Sequence, residues 1–152
     1  MAEPRRSVVA SVIEEVARKL GGPTVLGRTV RSQADLALVV QGRLPLVALA
    51  GLAQAGLSEQ EIERFVIPQR TRRHRADRRQ PLTVEESDRA VRLLRIQTLA
   101  EETFGGTDKA ALWLRRPLAA LGGETPLDIA RTEAGARLVE TVLAKIAWGA
   151  AA

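Results

Sequence analysis

Apolar residues recur every three or four positions through most of the chain, which is the spacing that gives a helix one buried face. The breaks between these runs contain glycine or proline, and the glycine pairs at 21–22, 105–106 and 122–123 are expected to end helices. The stretch from Val25 to Val30 is short and interrupted by Gly27, so we expect coil or a docking segment there. The pattern predicts an all-α fold with helices at about 5–20, 32–41, 45–55, 59–66, 68–79, 84–104, 108–115, 126–131 and 133–147.

Five of these helices have recognisable first residues. Ser32, Ser58 and Thr83 each precede an acidic residue by three positions, a spacing that lets the hydroxyl and the carboxylate cap the first turn reciprocally. Thr125 stands before a proline, which fits the first helical position because its missing N–H is not needed there. Thr132 before a glutamate predicts the fifth start.

The helix predicted at 84–104 is the longest, and Pro81 lies just before it. It has a broad apolar face, and we expect it to be a central element of the fold. The sequence before it ends in a strongly basic stretch, whereas the sequence after it is balanced in charge. We therefore expect two domains, 1–81 and 82–152.

Composition excludes several classes of chemistry. The chain has no cysteine and one histidine, so thiolate zinc sites, iron–sulfur clusters, cysteine nucleophiles and histidine metal clusters are excluded. Adjacent glutamates on a helix point about 100° apart and do not form an acid–base pair, so no catalytic residue, metal or cofactor is predicted. The first residues mix acidic with apolar side chains, which matches neither a signal peptide nor a membrane span, and we expect a cytoplasmic protein without membrane contact.

The charge is concentrated in one segment, RTRRHRADRR at residues 70–79. The whole chain carries 23 basic and 18 acidic residues, a net charge of +5, and this segment carries six arginines and one aspartate, also +5. Arginine without lysine favours forked contacts with phosphate or carboxylate.

The context of the basic segment resembles a helix-turn-helix at about 58–79. A capped helix, a Val-Ile-Pro turn and a second helix are the parts of that motif, whose second helix enters the major groove of DNA. The predicted DNA contacts are Gln69, Arg70, Thr71, Arg72, Arg73, Arg75, Arg78 and Arg79.

The arginines point nearly all round the helix axis, which leaves Thr71, His74 and Ala76 to face the core. Two alternatives therefore stay open: an arm that folds only on binding a polyanion or an acidic partner, and a plain solvated surface.

The sequence from residue 82 onward contains a second set of motifs. AEETFGG, KAALWLRRP and LGGETPLDIARTEAGARLVETVL occur in that order. Together these motifs closely resemble the toxin-binding domain of the Xre/MbcA/ParS antitoxin family, and the resemblance covers about residues 55–149, including the helix-turn-helix. Trp113 in the second motif is expected to anchor either the core or a binding groove.

The resemblance implies a type II antitoxin whose partner is a RES-domain toxin that degrades NAD or transfers ADP-ribose. It implies that the C-terminal segment covers the toxin's NAD pocket, that the helix-turn-helix binds operator DNA, and that the protein is a homodimer. The residues expected at the toxin are Trp113, Arg115, Arg116, Glu140, Lys145, Trp148, Gly149, Ala150, Ala151 and Ala152. Glu140 or a carboxylate at Ala152 is expected to pair with positive charge in that pocket, and Trp148 to stack in it. The alternative function is a stand-alone helix-turn-helix repressor without a toxin partner.

Overall fold

The computed structural model describes residues 4–149 of the backbone and the side chains from residue 11 onward. It contains ten α-helices in this range: α1 Pro4–Lys19, α2 Gly22–Leu26, α3 Gln33–Gln41, α4 Leu49–Gln54, α5 Glu59–Phe65, α6 Gln69–Asp77, α7 Val84–Phe104, α8 Thr107–Leu114, α9 Pro126–Ile129 and α10 Glu133–Ala147. Two 3-10 helices, Leu46–Ala48 and Ala119–Leu121, precede α4 and α9. Residues 4–149 contain no strand, so the predicted all-α fold is confirmed.

A helix is present at each of the nine predicted positions, but two details of the prediction were wrong. The stretch predicted as one helix at 45–55 is a 3-10 turn followed by the shorter α4. Residues 22–26, where a helix stop followed by coil was expected, form α2. Gly21 takes a left-handed φ of 115° between α1 and α2, and Pro23 occupies the first turn of α2, where a missing N–H costs nothing.

The chain divides into two compact units, one reaching to residue 94 and the other beginning at residue 95. The division falls inside α7, whereas the domain boundary that we expected, after residue 81, falls just before this helix. Each unit has its own apolar core.

The first unit is organised around α1, which packs against α2, α3 and α4. The backbones of α1 and α4 lie close together: a Cβ placed on Gly51 of α4 would lie 1.8 Å from the carbonyl oxygen of Lys19 in α1. Leu20, Leu49 and Leu52 are fully buried at this junction of elements. Only glycine allows the backbones to approach so closely.

The start of α7 is tied to the segment that follows α3. The amide of Leu82 donates to the carbonyl of Leu44 (2.9 Å), and the amide of Leu44 donates to the buried hydroxyl of Ser87 (2.9 Å). Arg43, with a left-handed φ of 65°, donates from Nε to the carbonyl of Leu82 (2.8 Å). These contacts hold the first turn of α7 against the segment between α3 and the 3-10 turn that precedes α4.

The second unit is built from the end of α7 and from α8, α9 and α10. α9 packs against both α8 and α10. A Cβ at Gly135, in the first turn of α10, would lie 1.6 Å from the carbonyl oxygen of Ile129, so α10 can seat against α9 only with glycine there. The buried face of α10 comprises Ala136, Val139 and Leu143.

The predicted N-caps are all present. Ser32, Ser58, Thr83, Thr125 and Thr132 each accept a hydrogen bond from the amide three residues later, at 3.0–3.1 Å. The reciprocal carboxylate bond is formed at Ser58 and at Thr83. Asp35 instead accepts from the amide of Arg31 (3.0 Å), one residue before its cap.

Two negative findings hold for the part of the chain that the structure describes. None of its helices combines the length and the apolar character needed to cross a membrane. It also contains no group of three or more histidine, cysteine or carboxylate side chains arranged to hold a metal ion.

Candidate functional site

α5, the turn after it and α6 form a helix-turn-helix unit. Ser58 and Glu61 make the capping box that starts α5, and Ile62 and Phe65 on its inner face are buried. The turn is anchored by the buried side chains of Val66 and Ile67. α6 begins immediately after Pro68, whose fixed φ suits the entry to a helix.

A guanidinium on α7 holds the turn in place. Arg89 donates to the carbonyl oxygen of Val66 through both Nε (3.2 Å) and Nη2 (2.9 Å). A forked pair of this kind fixes the direction of the carbonyl as well as its distance. The turn between α5 and α6 is therefore rigidly positioned relative to the start of α7.

The inner face of α6 differs from our expectation. His74 and Ala76 are exposed, and the half-buried positions are Thr71, Arg72 and Arg75. No residue of α6 is fully buried. The prediction that His74 and Ala76 face the core was wrong, because two arginines take the inner positions and place their charged groups on carboxylates of α5 and α7.

Arg75 forms an ion pair with Glu86 in the first turn of α7, and both side chains are largely shielded, at 15% and 8% exposure. Glu86 also belongs to the cap of α7, since its Oε2 accepts from the amide of Thr83 (3.1 Å). Burial raises the pKa of the Glu86 carboxyl, but the hydrogen bonds from Arg75 and Thr83 and the charges of Arg75 and Arg89 outweigh it, so the pKa lies below its ordinary value. Glu86 is thus ionised, and its carboxylate is held by hydrogen bonds from Arg75 and from the amide of Thr83.

Arg72 forms the second inward ion pair, with Glu59 at the start of α5 (3.0 Å). This pair is more open, with exposures of 30% and 68%. It borders a surface cavity of about 270 Å³ between α5 and α6, which is also lined by Glu63 and Gln69. Its contribution to stability is small, because water screens exposed ion pairs.

The remaining predicted contacts of α6 face solvent. Gln69, Arg70 and Arg73 are exposed on the first two turns, and Arg78 and Arg79 are exposed just after the helix ends. None of these four arginines forms an ion pair with any residue between 11 and 149. Of the eight residues predicted to contact DNA, the structure therefore presents five outward and turns Thr71, Arg72 and Arg75 inward.

In the second unit, the side chains expected to contact a toxin are scattered over α8 and α10. Trp113 is half-buried against Phe104, with ring centroids 5.4 Å apart and planes inclined by 46°. Arg115 donates to the carbonyl of Ala111 (3.0 Å), and Arg116 is exposed. Trp113 thus has an internal packing partner, while its neighbour Leu112, which sequence reasoning missed, is exposed.

Glu140 on α10 is engaged within its own unit. Its Oε1 accepts from Nε of Arg95 (2.6 Å), and Arg95 also contacts Glu133 (3.1 Å). Glu140 is half-buried in this arrangement. The carboxylate that we expected to face a toxin pocket therefore already has a cationic partner.

The outer face of α10 carries a regularly spaced stripe of exposed residues: Ala134, Leu138, Thr141, Lys145 and Trp148. The spacing alternates between four and three, so these residues follow one side of the helix. Leu138 and Trp148 are large apolar side chains at 42% and 68% exposure. Gly149 follows with a left-handed φ of 94°.

The outer-face stripe extends the sequence prediction. Of the residues expected at a toxin, Lys145 and Trp148 lie in the stripe and Gly149 follows it, while Ala150, Ala151 and Ala152 lie outside the described residues. Ala134, Leu138 and Thr141 were not named in that expectation. The sequence indicates that one leucine of α10 faces outward, because Leu138 and Leu143 are five positions apart and cannot lie on the same face of the helix.

Comparison with known proteins gives two family matches. Residues 35–95 match the antitoxin Xre-like helix-turn-helix domain, and residues 99–149 match the antitoxin Xre/MbcA/ParS C-terminal toxin-binding domain. The first match contains the whole α5–α6 unit, and the second contains α8, α9 and α10.

Individual relatives agree with these matches. The chain is 44% identical over 84 residues to a protein named Antitoxin Xre from Pseudomonas putida (55% of this chain, 53% of that protein) and 40% identical over 68 residues to one of the same name from Photorhabdus laumondii (44% and 46%). It is 29% identical to a protein named Prs ADP-ribosylating antitoxin from Sphingobium (66% and 78%). The chain spans about half the length of the first two relatives. Because both domain matches describe modules of one group of antitoxins and follow each other along the chain, the protein belongs to the Xre/MbcA/ParS antitoxin family.

Proposed function

We propose that this protein is a type II antitoxin that binds and inhibits a RES-domain toxin, one that consumes NAD or attaches ADP-ribose to a target. The observation that carries the proposal is the outer-face stripe of α10, whose exposed Leu138 and Trp148 lie within the region that matches a toxin-binding domain. The name of the Sphingobium relative, which refers to ADP-ribosylation, supports this class of toxin.

The stripe has the chemistry of a helix that docks into a groove. Leu138 and Trp148 lie ten positions apart on one side of α10, about 15 Å along the axis, and both expose apolar surface that water solvates poorly. Tryptophan at the edge of such a face is typical of interface residues that contribute most of the binding energy. Lys145 between them adds one exposed positive charge.

The end of α10 places Trp148 and Gly149 where the chain continues towards Ala150, Ala151 and Ala152. We propose that this segment covers the toxin's NAD pocket, with the indole of Trp148 stacking where a base of the dinucleotide would bind. Glu140 has no part in this proposal, because Arg95 already holds its carboxylate. Trp113, Arg115 and Arg116 are proposed to border the same surface from α8.

The test is to mix the purified antitoxin with the toxin encoded beside it and to follow NAD consumption and ADP-ribosylation. We expect inhibition at equimolar amounts, weakened by Leu138→Ser and by Trp148→Ala. Leu38→Ser is the matched control, because it makes the same change at an exposed leucine on α3, outside the proposed toxin-binding surface. Unchanged inhibition by the two α10 variants would refute the assignment of the stripe, and no inhibition by the wild type would refute the antitoxin function.

We also propose that α6 binds operator DNA and represses the antitoxin's own gene. In this arrangement Gln69, Arg70 and Arg73 reach base edges from the first turns of α6, while Arg78 and Arg79 contact phosphates. Residues 1–81 would then serve DNA binding and residues 82–152 toxin binding. A homodimer would match the two-fold symmetry of an operator.

The DNA proposal is tested by fluorescence anisotropy with the promoter fragment and with a duplex of shuffled sequence. Tighter binding to the promoter, lost with Gln69→Ala and Arg73→Ala, is the expected result. Equal affinity for the two duplexes would leave a nonspecific polyanion-binding segment. Promoter binding without any effect on a neighbouring toxin would instead favour a stand-alone repressor.

A further inference from the structure

We infer that Glu86 is a positioning residue for operator recognition: its ion pair with Arg75 fixes the orientation of α6 and thereby determines how well the protein distinguishes its operator from other DNA. This inference rests on the DNA-binding function proposed above. It assigns a role to a carboxylate outside the helix-turn-helix.

α6 lacks an apolar anchor. No residue of this helix is fully buried, so it has no apolar side chain that fixes its rotation against the core. Its inner face consists of Thr71, Arg72 and Arg75. The orientation of α6 therefore depends on the polar contacts that these side chains make.

The two ion pairs of α6 are unequal. Arg72 pairs with a largely exposed Glu59, whereas Arg75 and Glu86 are both shielded from water. Removal of one partner from a shielded pair leaves an uncompensated charge, so such a pair strongly constrains geometry, while an exposed pair constrains it weakly. The contact at Glu86 is thus the main polar restraint on α6.

Glu86 is itself held in place. Its backbone amide donates to the Thr83 hydroxyl (3.1 Å), and its carboxylate accepts the Thr83 amide, so the side chain that meets Arg75 is fixed by the first turn of α7. One turn later Arg89 holds the carbonyl of Val66. The start of α7 therefore holds α6 through the pair between Glu86 and Arg75. It also holds the turn before α6 through the carbonyl of Val66.

Recognition of bases depends on the orientation of α6, whereas electrostatic attraction to phosphates does not. Hydrogen bonds to base edges require side chains to be placed within a fraction of an ångström, while charge attraction to the backbone tolerates displacement. Loss of the Glu86 carboxylate leaves Arg70, Arg73, Arg78 and Arg79 unchanged and releases Arg75. Nonspecific affinity should then stay the same or rise while operator affinity falls.

The experiment compares Glu86→Gln with Glu85→Gln in the full-length protein, by anisotropy with the promoter duplex and the shuffled duplex. The two variants remove the same charge from adjacent residues, and Glu85 is exposed and has no ion pair among the described side chains. Glutamine can still serve in the capping box at position 86, so the α7 cap is retained. We expect Glu86→Gln to lower the operator-to-shuffled affinity ratio by about tenfold, the effect of losing one base contact, and Glu85→Gln to leave it unchanged.

A rescue variant separates positioning from charge. Arg75→Met combined with Glu86→Met replaces the pair by apolar side chains of similar length, which can pack in the same shielded place. It should restore most of the affinity ratio. If Glu86→Gln loses helix content by circular dichroism, the same ratio is measured with Arg75→Gln, which breaks the pair without touching the α7 cap.

The possible results distinguish the role of Glu86 from the operator binding on which that role rests. An equal ratio for Glu86→Gln, Glu85→Gln and the wild type would overturn the role of Glu86 while leaving operator binding in place. A wild-type protein without preference for the promoter would overturn both. A lower ratio for Glu86→Gln alone, restored in the double methionine variant, is the result we expect.

Discussion

If α6 binds DNA as proposed, its inward arginines allow a quantitative prediction for the salt dependence of that binding. Arg72→Gln and Arg78→Gln each remove one positive charge from the same basic segment. Arg72 already lies on Glu59 at 3.0 Å, whereas Arg78 is exposed and has no carboxylate partner among the described residues. The two variants should therefore differ although their net charges are equal.

The magnitude follows from counterion release. Each phosphate contact contributes about −0.9 to the slope of log affinity against log salt, so the four outward arginines give at most about −3.6 per bound chain, where six would give about −5.4. Between about 50 and 200 mM salt these slopes correspond to affinity losses of roughly 150-fold and roughly 1,800-fold. Arg78→Gln should reduce the slope by about 0.9, and Arg72→Gln should leave it nearly unchanged.

The assay is anisotropy with the shuffled duplex at four or more salt concentrations, since nonspecific binding isolates the phosphate contacts. Glu59→Gln supplies an internal check, because it releases Arg72 and should steepen the slope. If Arg72→Gln flattens the slope as much as Arg78→Gln does, Arg72 contacts phosphate in the complex and the assignment of inward and outward arginines is refuted.

Three further predictions concern stability. Gly135→Ala should destabilise the second unit by about 1–3 kcal/mol or more in chemical denaturation, because its Cβ would lie 1.6 Å from the Ile129 carbonyl oxygen; an unchanged midpoint would contradict this close approach. Leu143→Ala should cost about 2–5 kcal/mol, while Leu138→Ala on the exposed face of the same helix should change stability by less than about 0.5 kcal/mol. The depressed pKa of Glu86 gives a stabilisation that is complete above the ordinary glutamate pKa and lost as pH falls through the lower folded-state pKa, so the stability difference between wild type and Glu86→Gln should shrink as the pH is lowered below about 5. A difference that does not change with pH would show that the carboxylate is not preferentially ionised in the folded protein.

The features that sequence predicted best depend on neighbouring residues only. The caps at Ser58, Thr83, Thr125 and Thr132 were predicted because a hydroxyl and the amide three residues later meet in any helix that starts there. Helix α2 was missed for a related reason: two glycines and a proline usually end a helix, yet Pro23 also suits the first turn of a new one. The local sequence fits both readings, and packing against α1 decides between them.

The errors at the candidate site come from contacts between residues distant in sequence. A helical projection of α6 assigns the inner face to its least charged side chains, and so it selected His74 and Ala76. The structure places Arg75 there because Glu86, eleven residues later, lies opposite it. Arg95, forty-five residues before Glu140, donates a hydrogen bond to its carboxylate, and the local sequence does not indicate this contact either.

The pairing of Arg72 and Arg75 with carboxylates of the protein itself affects how long the protein would stay on chromosomal DNA outside its operator. Under the proposed function, each phosphate contact withheld from the duplex lowers nonspecific affinity by about 5-fold at about 0.15 M salt, so the two arginines held by carboxylates lower it by roughly 30-fold. A genome offers millions of competing sites, and weaker attachment to each shortens the dwell time there. More of the antitoxin then remains in solution, where it can meet newly made toxin.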